Sequence, residues 1–280
     1  MNLNALQFGF NLDHIALESP NPKILANFYK KFLMMEFQEQ RDKELICEGK
    51  DRKIIFKKGV KNKLAYAGFT CRNKENLVKF KKLIISNNVE ILDFNNIHFE
   101  NESFTIIDPD KNKISFGLRK KNNFSFKNKF CMPLQHLTLS TKNIKKFEHF
   151  YNNILGFKIT DRVIHQNGSL ATCFLTSNHE HHTIACFKSH QIGVDHHSYE
   201  VGTWDNIKIL CDFFSENNIK IMWGPGRHGP GNNLFIFVED PDKNWIEFSA
   251  ELELIDDRNY KEWPQCEKTL NLWGKGILRS

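Results

Sequence analysis

Leu12-Asp13-His14-Ile15-Ala16-Leu17-Glu18-Ser19 returns later in the chain as Leu134-Gln135-His136-Leu137-Thr138-Leu139-Ser140-Thr141. Asp108-Pro109-Asp110-Lys111-Asn112-Lys113-Ile114-Ser115-Phe116 likewise returns as Asp240-Pro241-Asp242-Lys243-Asn244-Trp245-Ile246-Glu247-Phe248. Repetition of this kind marks a duplicated folding unit. The offset between the copies is 122 at His14/His136 and Tyr29/Tyr151 but 132 at Asp108/Asp240, so the second copy carries ten extra residues. They are expected to include the Gly224 to Asn233 loop, and function often sits in loops added to a scaffold. The changes between copies are selective. Ser115 stands where the second copy has Glu247, and a carboxylate binds a cation where a serine hydroxyl does so poorly. The first copy is expected to be scaffold and the second to carry the chemistry.

Outward from the repeat, Leu134 to Ser140 alternates apolar and polar residues as a half-buried strand does, and Ile144, Phe147, Phe150, Tyr151 and Ile154 follow at helical spacing. Gly156 suits the left-handed position that ends such a helix. Ser169 to Leu175 and Thr183 to Lys188 read as a hairpin. A second unit then runs strand (Asp195 to Val201), helix (Trp204 to Asn217), strand (Ile219 to Met222), Gly-rich loop, strand (Leu234 to Val238), turn and strand (Trp245 to Phe248). Each copy therefore reads as two strand-helix-strand modules.

The 280 residues divide near Asn122 to Lys129, a polar, basic stretch. The net charge of +6 comes from scattered Lys, with no like-charge block and no basic-aromatic stripe, so neither nucleic acid nor membrane is expected as a partner. No apolar run reaches the length of a membrane span, and Met1 to Phe10 lacks the basic start and cleavage site of a signal peptide; a soluble, cytoplasmic protein is expected. Seven dispersed cysteines without a Cys-x-x-Cys pair fit a reducing compartment.

Three residues of the second copy are candidate metal ligands: His136 in its first strand, His196 at the start of its second module, and Glu247 in its final strand. Their counterparts are His14, Tyr66 and Ser115, so the first copy retains one of three. Two imidazoles and a carboxylate leave open positions on a non-haem Fe(II), although the same donors also admit Mn(II) or Zn(II). A lone strand histidine is ordinarily a hydrogen-bonded core residue, and His14 and His197 are read that way. A second metal at His179, His181, His182 and His190 is not expected without matched cysteines.

Gly226-Arg227-His228, seven residues, Ile236-Phe237, two residues, Asp240-Pro241 and then Glu247 resemble the signature of the vicinal oxygen chelate superfamily, and within it the two-domain type I extradiol ring-cleaving dioxygenases. The resemblance runs from Leu12 to about Glu253. It implies an α+β fold of two tandem glyoxalase/bleomycin-resistance/dioxygenase-like domains, each of paired βαβββ modules. Residues 1–122 would be a non-catalytic N-terminal repeat domain and 130–253 the metal-binding catalytic domain. Residues 254–280 would be a tail packed on the domain surface or over the active-site mouth. The resemblance further implies His136, His196 and Glu247 as iron ligands, His182 as the acid-base histidine, and His228 as the histidine that hydrogen-bonds substrate. Phe237, Tyr199 and Arg227 are placed in the substrate pocket. His181 is the alternative to His182, because a one-residue slip exchanges which of them points inward.

Two positions depart from the family pattern. Lys243 replaces Gly or Pro in the turn, which Asn244 is expected to accommodate by left-handed geometry. Phe237 replaces the family's active-site Tyr, and a phenyl ring neither donates nor accepts a proton; Asp195 and Tyr199 are the candidates to replace it. The expected activity is Fe(II)-dependent extradiol cleavage of a small aromatic diol with O2, Mn(II) being the alternative metal, in a homo-oligomeric protein. Two other activities fit the same residues: a non-redox metal-dependent isomerase, lyase or hydrolase, and a binding or resistance protein for a flat aromatic ligand.

Overall fold

The computed structural model describes residues 5–39, 44–120, 131–255 and 258–278; the stretch Asn122 to Lys129 lies outside them. One sheet contains β1 (Asn11–Ser19), β2 (Glu36–Glu39), β3 (Leu45–Gly49), β4 (Arg52–Lys58), β5 (Lys63–Thr70), β6 (Phe104–Ile107) and β7 (Lys113–Gly117). Their spatial order is β2-β3-β4-β1-β5-β7-β6. The other contains β8 (Leu134–Thr141), β9 (Lys158–Ile164), β10 (Leu170–Thr176), β11 (Ile184–Lys188), β12 (Gly193–Gly202), β13 (Ile221–Arg227), β14 (Leu234–Glu239), β15 (Trp245–Ala250) and β16 (Lys261–Pro264). It runs β13-β14-β15-β12-β8-β11-β10-β9-β16. With few helices against two large sheets, the class is α+β. Among the described residues no helix is long and apolar enough to cross a membrane.

The helices follow from capping and spacing. Short α1 (Ala5–Phe8) precedes α2 (Pro22–Phe32), which opens on Pro22, a ring that presets the helical φ. Asn73 and Thr203 cap α3 (Lys74–Ser86) and α5 (Trp204–Glu216) by accepting from Asn76 N and Asn206 N. Each buries one stripe on its sheet, Leu77, Phe80 and Ile84 in α3 and Ile207, Leu210 and Phe214 in α5. The helix expected through Ile154 is α-helical only over α4 (Ile144–His149) and continues as a π-helical turn, Phe150–Ile154, before Gly156 at φ 75°. A short α6 (Glu267–Leu270) lies in the tail.

Strand register fixes which residues correspond. Tyr66 sits opposite Ala16 as His196 sits opposite Thr138, and Ser115 sits opposite Gly68 as Glu247 sits opposite Ser198. The expected location of the ten extra residues is corrected by the same register. Phe37 pairs Cys47 ten residues on, whereas Ile159 pairs Leu175 sixteen residues on, so most of the additional chain lengthens the β9–β10 hairpin. The strand expected at Ile219 to Met222 extends as β13 to Arg227, and the loop begins only at His228. In the first half the strand equivalent to β13 shrinks to a single bridge, Leu92 to Thr105, so its second module lacks one strand of the βαβββ pattern. In the Asp-Pro-Asp-Lys turns it is Lys111 and Lys243 themselves, each at φ 71°, that take the left-handed conformation, and not Asn244. The side chain of Asn244 is committed instead to Asp240 Oδ2 at 2.8 Å.

One apolar core runs through both halves, and the halves clasp each other reciprocally. Tyr151 donates to Asp108 Oδ2 at 3.2 Å, and Tyr29 donates to Asp240 Oδ2 at 3.2 Å. The Asp of each repeated turn thus receives the helix tyrosine of the other copy, which accounts physically for the repetition of both elements. Tyr29 also accepts from His197 Nε2 at 3.0 Å, so His197 belongs to this joint.

Candidate metal centre

Four neighbouring strands of the second sheet present a row of side chains on one face: His136 on β8, Ser198 on β12, Glu247 on β15 and Phe237 on β14 are in direct register. His196, two residues before Ser198, shares that face because side chains alternate along a strand. The ligating atoms of His136, His196 and Glu247 all lie within 4.8 Å of one another. Glu247 Oε2 is 2.8 Å from His136 Nε2 and 3.5 Å from His196 Nε2. His196 Nδ1 donates to Asp195 Oδ1 at 2.6 Å, which leaves Nε2 for the cluster. Asp195 therefore orients a candidate ligand and is not free to replace a missing hydroxyl.

These residues fit a divalent metal. His136 is 1% exposed, its Nε2 is turned to the Glu247 carboxylate, and its Nδ1 has no hydrogen-bond partner. A buried polar atom left so costs about 1–3 kcal/mol, which coordination would offset. Burial lowers the pKa of His136, Glu247 only partly opposing it, so the ring is held neutral as a ligand must be. Burial pushes Glu247 up, but His136, His196 and His228 outweigh it and hold the carboxyl well below its usual range. For His196 burial acts downward and is outweighed by Asp195 and Glu247, which raise it.

A pocket opens over the cluster. Its apolar walls are Phe174, Phe187, Trp223, Phe237, Leu270 and Ile277, and among the described residues no Lys or Arg lines it. Phe237 stacks on Trp223, with ring centroids 5.3 Å apart, and meets His196 edge-on. His182 packs against His136 at 4.1 Å between centroids and lines the pocket. Its neighbour His181 turns away, with Nε2 3.1 Å from Asp161 Oδ2, so of the two candidates His182 is the one that faces the cluster. Nδ1 of His182 lies 2.9 Å from His181 Nδ1, and burial, then His136 and His181, holds its pKa well below the ordinary value. His228 donates from Nδ1 to the Leu270 carbonyl at 2.6 Å, and its Nε2 stands 3.5 Å from Glu247 Oε1.

Two of the expected pocket residues are elsewhere. Tyr199 alternates to the other face of β12, where it is fully buried and stacks on Phe248. It cannot supply the hydroxyl that Phe237 lacks. Arg227 points out of the pocket, pairs with Glu251 at 2.7 Å and lies over Trp273. The structure adds residues that strand patterning did not single out: Asn233, Trp223, Phe174 and Phe187, with Leu270 and Ile277 from the tail. β16 extends the sheet beside β9, and Leu272 N donates to Arg227 O at 2.7 Å, so the tail is stitched across the pocket mouth. Among the described residues, His136, His196 and Glu247 are the one group placed to hold a metal, and His179, His181, His182 and His190 form no second.

Residues 134–248 match the Glyoxalase/Bleomycin resistance protein/Dioxygenase superfamily. Over 95% of its length the chain is 23% identical to metapyrocatechase 2 from Cupriavidus necator, of which it covers 89%. It is 28% identical over 152 residues, half of each chain, to an iron-dependent extradiol dioxygenase from Rhodococcus jostii. Homoprotocatechuate 2,3-dioxygenase from Brevibacterium fuscum, solved with 3,4-dihydroxyphenylacetate, shares the fold at a TM-score of 0.82 and 17% identity, with 99% of this chain and 93% of that one covered.

Proposed function

We propose that this chain, whose residues 134–248 belong to the Glyoxalase/Bleomycin resistance protein/Dioxygenase superfamily, is an extradiol dioxygenase that cleaves the ring of a small, uncharged aromatic diol. The observation that carries the reading is the convergence of His136, His196 and Glu247 at the floor of an aromatic pocket flanked by His182 and His228. The named relatives, metapyrocatechase 2 and an iron-dependent extradiol dioxygenase, support it.

His136, His196 and Glu247 would hold Fe(II), with Mn(II) compatible with the same donors. Such an ion, when bound, brings the two diol oxygens and O2 together and relays electron density from diol to oxygen. The chain's own residues do the rest. Trp223 and Phe237 form a flat wall for the ring and exclude water. His182, with Nδ1 engaged by His181, has Nε2 to take up a diol proton and return it. His228 donates from Nδ1 to the Leu270 carbonyl, which leaves Nε2 on the pocket side to hydrogen-bond a substrate hydroxyl.

Among the described residues no Lys or Arg lines the walls, so a carboxylate on the substrate would meet no counter-charge from them, and burying it unpaired is costly. Catechol and its alkyl or aryl derivatives are therefore the substrates of choice. The test is O2 uptake by Fe(II)-loaded protein against neutral and carboxylated catechols, with absorbance scanned for ring-opened product. Uptake matched by yellow product with neutral catechols is expected. Bound iron without O2 uptake across the panel would refute the dioxygenase reading and favour non-redox chemistry on the same ligands.

A further inference from the structure

Glu247 has two oxygens, and the structure divides their duties. Oε2 is the atom facing His136 Nε2 and His196 Nε2, at 2.8 and 3.5 Å. Oε1 faces the opposite way and accepts from Asn233 Nδ2 at 3.0 Å, with His228 Nε2 3.5 Å off. We infer that Asn233 is a positioning residue for the metal-binding carboxylate, holding Oε1 so that Glu247 presents Oε2 alone to the cation.

Asn233 is built for that task. It is 1% exposed and sits just before β14, where its backbone carbonyl accepts from His228 N at 3.0 Å. Its Nδ2 also donates to Ser249 Oγ at 3.0 Å, a residue on the same face of β15 as Glu247. That assignment of the amide is chemically required, because a flipped amide would set oxygen against carboxylate. The consequence concerns denticity and charge. A carboxylate oxygen engaged by a neutral donor stays off the metal, so Glu247 occupies one coordination position and leaves the others to substrate. In the first half, strand register places Asn101 at the equivalent position, exposed in a turn, and Ser115 in place of the acid. The buried amide is thus found in the half that has a carboxylate to hold.

This inference rests on the metal reading above, and the experiment separates the two. Mn(II) affinity is measured anaerobically from the signal of free ion in wild-type protein, Asn233→Leu and Asn233→Ala, and repeated with Fe(II) by chelator competition. Each Asn233 variant is also made in a Glu247→Ala background. Losing a hydrogen bond to a ligating residue weakens metal binding by about 10- to 100-fold, and that is the loss expected with Glu247 present. In the Glu247→Ala background the same substitution should change affinity by less than about twofold, since the oxygen it acts on is gone. Thermal melts of the metal-free proteins check folding, and Asn233→Ala carries the test if Asn233→Leu does not fold. Wild-type affinity in the variants, or an equal loss in both backgrounds, would overturn the role of Asn233 while leaving the metal site intact. A wild-type protein that takes up neither ion would overturn both.

Discussion

Tyr29→Phe should destabilise the protein about twice as much as Tyr151→Phe, although the two tyrosines hold equivalent positions in the duplicated fold. Both are fully buried, and both donate across the joint to an aspartate at 3.2 Å. In Tyr151→Phe, Asp108 keeps three donors: Asp110 N, Asn112 N and Asn112 Nδ2, at 2.8–2.9 Å. The loss is that of one hydrogen bond to a charged acceptor, about 1.5 kcal/mol. In Tyr29→Phe the same loss occurs at Asp240, and His197 is stranded besides. Its Nε2 donates to the Tyr29 oxygen, its Nδ1 has no partner, and the ring is 0% exposed. Orphaning that donor adds about 1–3 kcal/mol, which brings the total to roughly 3 kcal/mol.

Equilibrium urea unfolding of the metal-free proteins measures the difference. With an m-value near 3 kcal/mol/M, a gap of about 1.5 kcal/mol separates the two midpoints by about 0.5 M. His197 adjoins His196 on β12, so Tyr29→Phe is also the variant expected to retain metal less well. Coincident midpoints, or a lower midpoint for Tyr151→Phe, would refute the assignment of His197 to the joint.

Glu247→Gln should lower metal affinity by more than about 100-fold and activity with it, because the one anionic ligand is neutralised; normal metal retention on anaerobic gel filtration would show that the ligand set is wrong. Phe237→Tyr should raise kcat on catechol by about 10-fold at equal iron content, the kinetic equivalent of one hydrogen bond of about 1.4 kcal/mol; an unchanged kcat would show that the pocket does not use a hydroxyl there. Ser115→Glu should leave the metal stoichiometry at one per chain by elemental analysis, because Tyr66 stands where a second ring ligand would be needed. At Glu44, burial pushes the carboxyl up, but His98 and Lys57 outweigh it and hold it down at about 2. A depressed carboxyl stabilises the fold fully above its unfolded pKa of about 4.5 and loses that contribution as pH falls toward 2. Glu44→Gln should therefore lower the urea midpoint at pH 7, with the gap to wild type closing between pH 4.5 and 2; a gap that persists at pH 2 would contradict this.

The two halves, their helices and the candidate metal triad are legible in the sequence because each depends on local pattern. Alternation and three- and four-residue spacing expose strands and helices, and comparison of the copies isolates the exchange of Ser115 for Glu247 and of Tyr66 for His196. What was not legible depends on parity and on distant pairing. Tyr199 lies three residues from His196, an odd step that carries it to the opposite face, and no composition signal distinguishes it from a pocket residue. Asn233 reaches Glu247 only because β14 and β15 pair in one register. Leu270 and Ile277 enter the pocket because the tail is stitched to β9 and Arg227, contacts between segments far apart in sequence. The glycine-rich stretch drew the added residues by its composition, yet register assigns most of them to the β9–β10 hairpin.

The first half shows why the second calls for a cation. Both carry a histidine at the same place on the same strand, buried to 0% at His14 and 1% at His136. In the first half His14 has Asp13 Oδ2 at 2.7 Å on one nitrogen and Asn96 Nδ2 at 2.9 Å on the other. Gly68, opposite it on β5, leaves room for the ring, because a side chain there would collide with the imidazole. Nearby, Glu44 is bound by Lys57, His98 and Tyr66. The polar groups of that cup satisfy one another. In the second half Ser198 replaces that glycine, and His136 turns Nε2 to Glu247 and His196 while its Nδ1 is left without a hydrogen-bond partner. Interiors seldom tolerate such a group, and imidazole nitrogens converging with an ionised carboxylate make a donor set suited to a divalent cation. The same backbone thus buries polar residues in two ways, one closed by hydrogen bonds and one that, on the proposed function, a metal would close. It follows that metal removal should soften the second half alone: amide exchange in β8, β12 and β15 should quicken on chelation while β1, β5 and β7 keep their protection. Equal loosening of both sheets would mean that the cation acts through the joint and not through its own ligands.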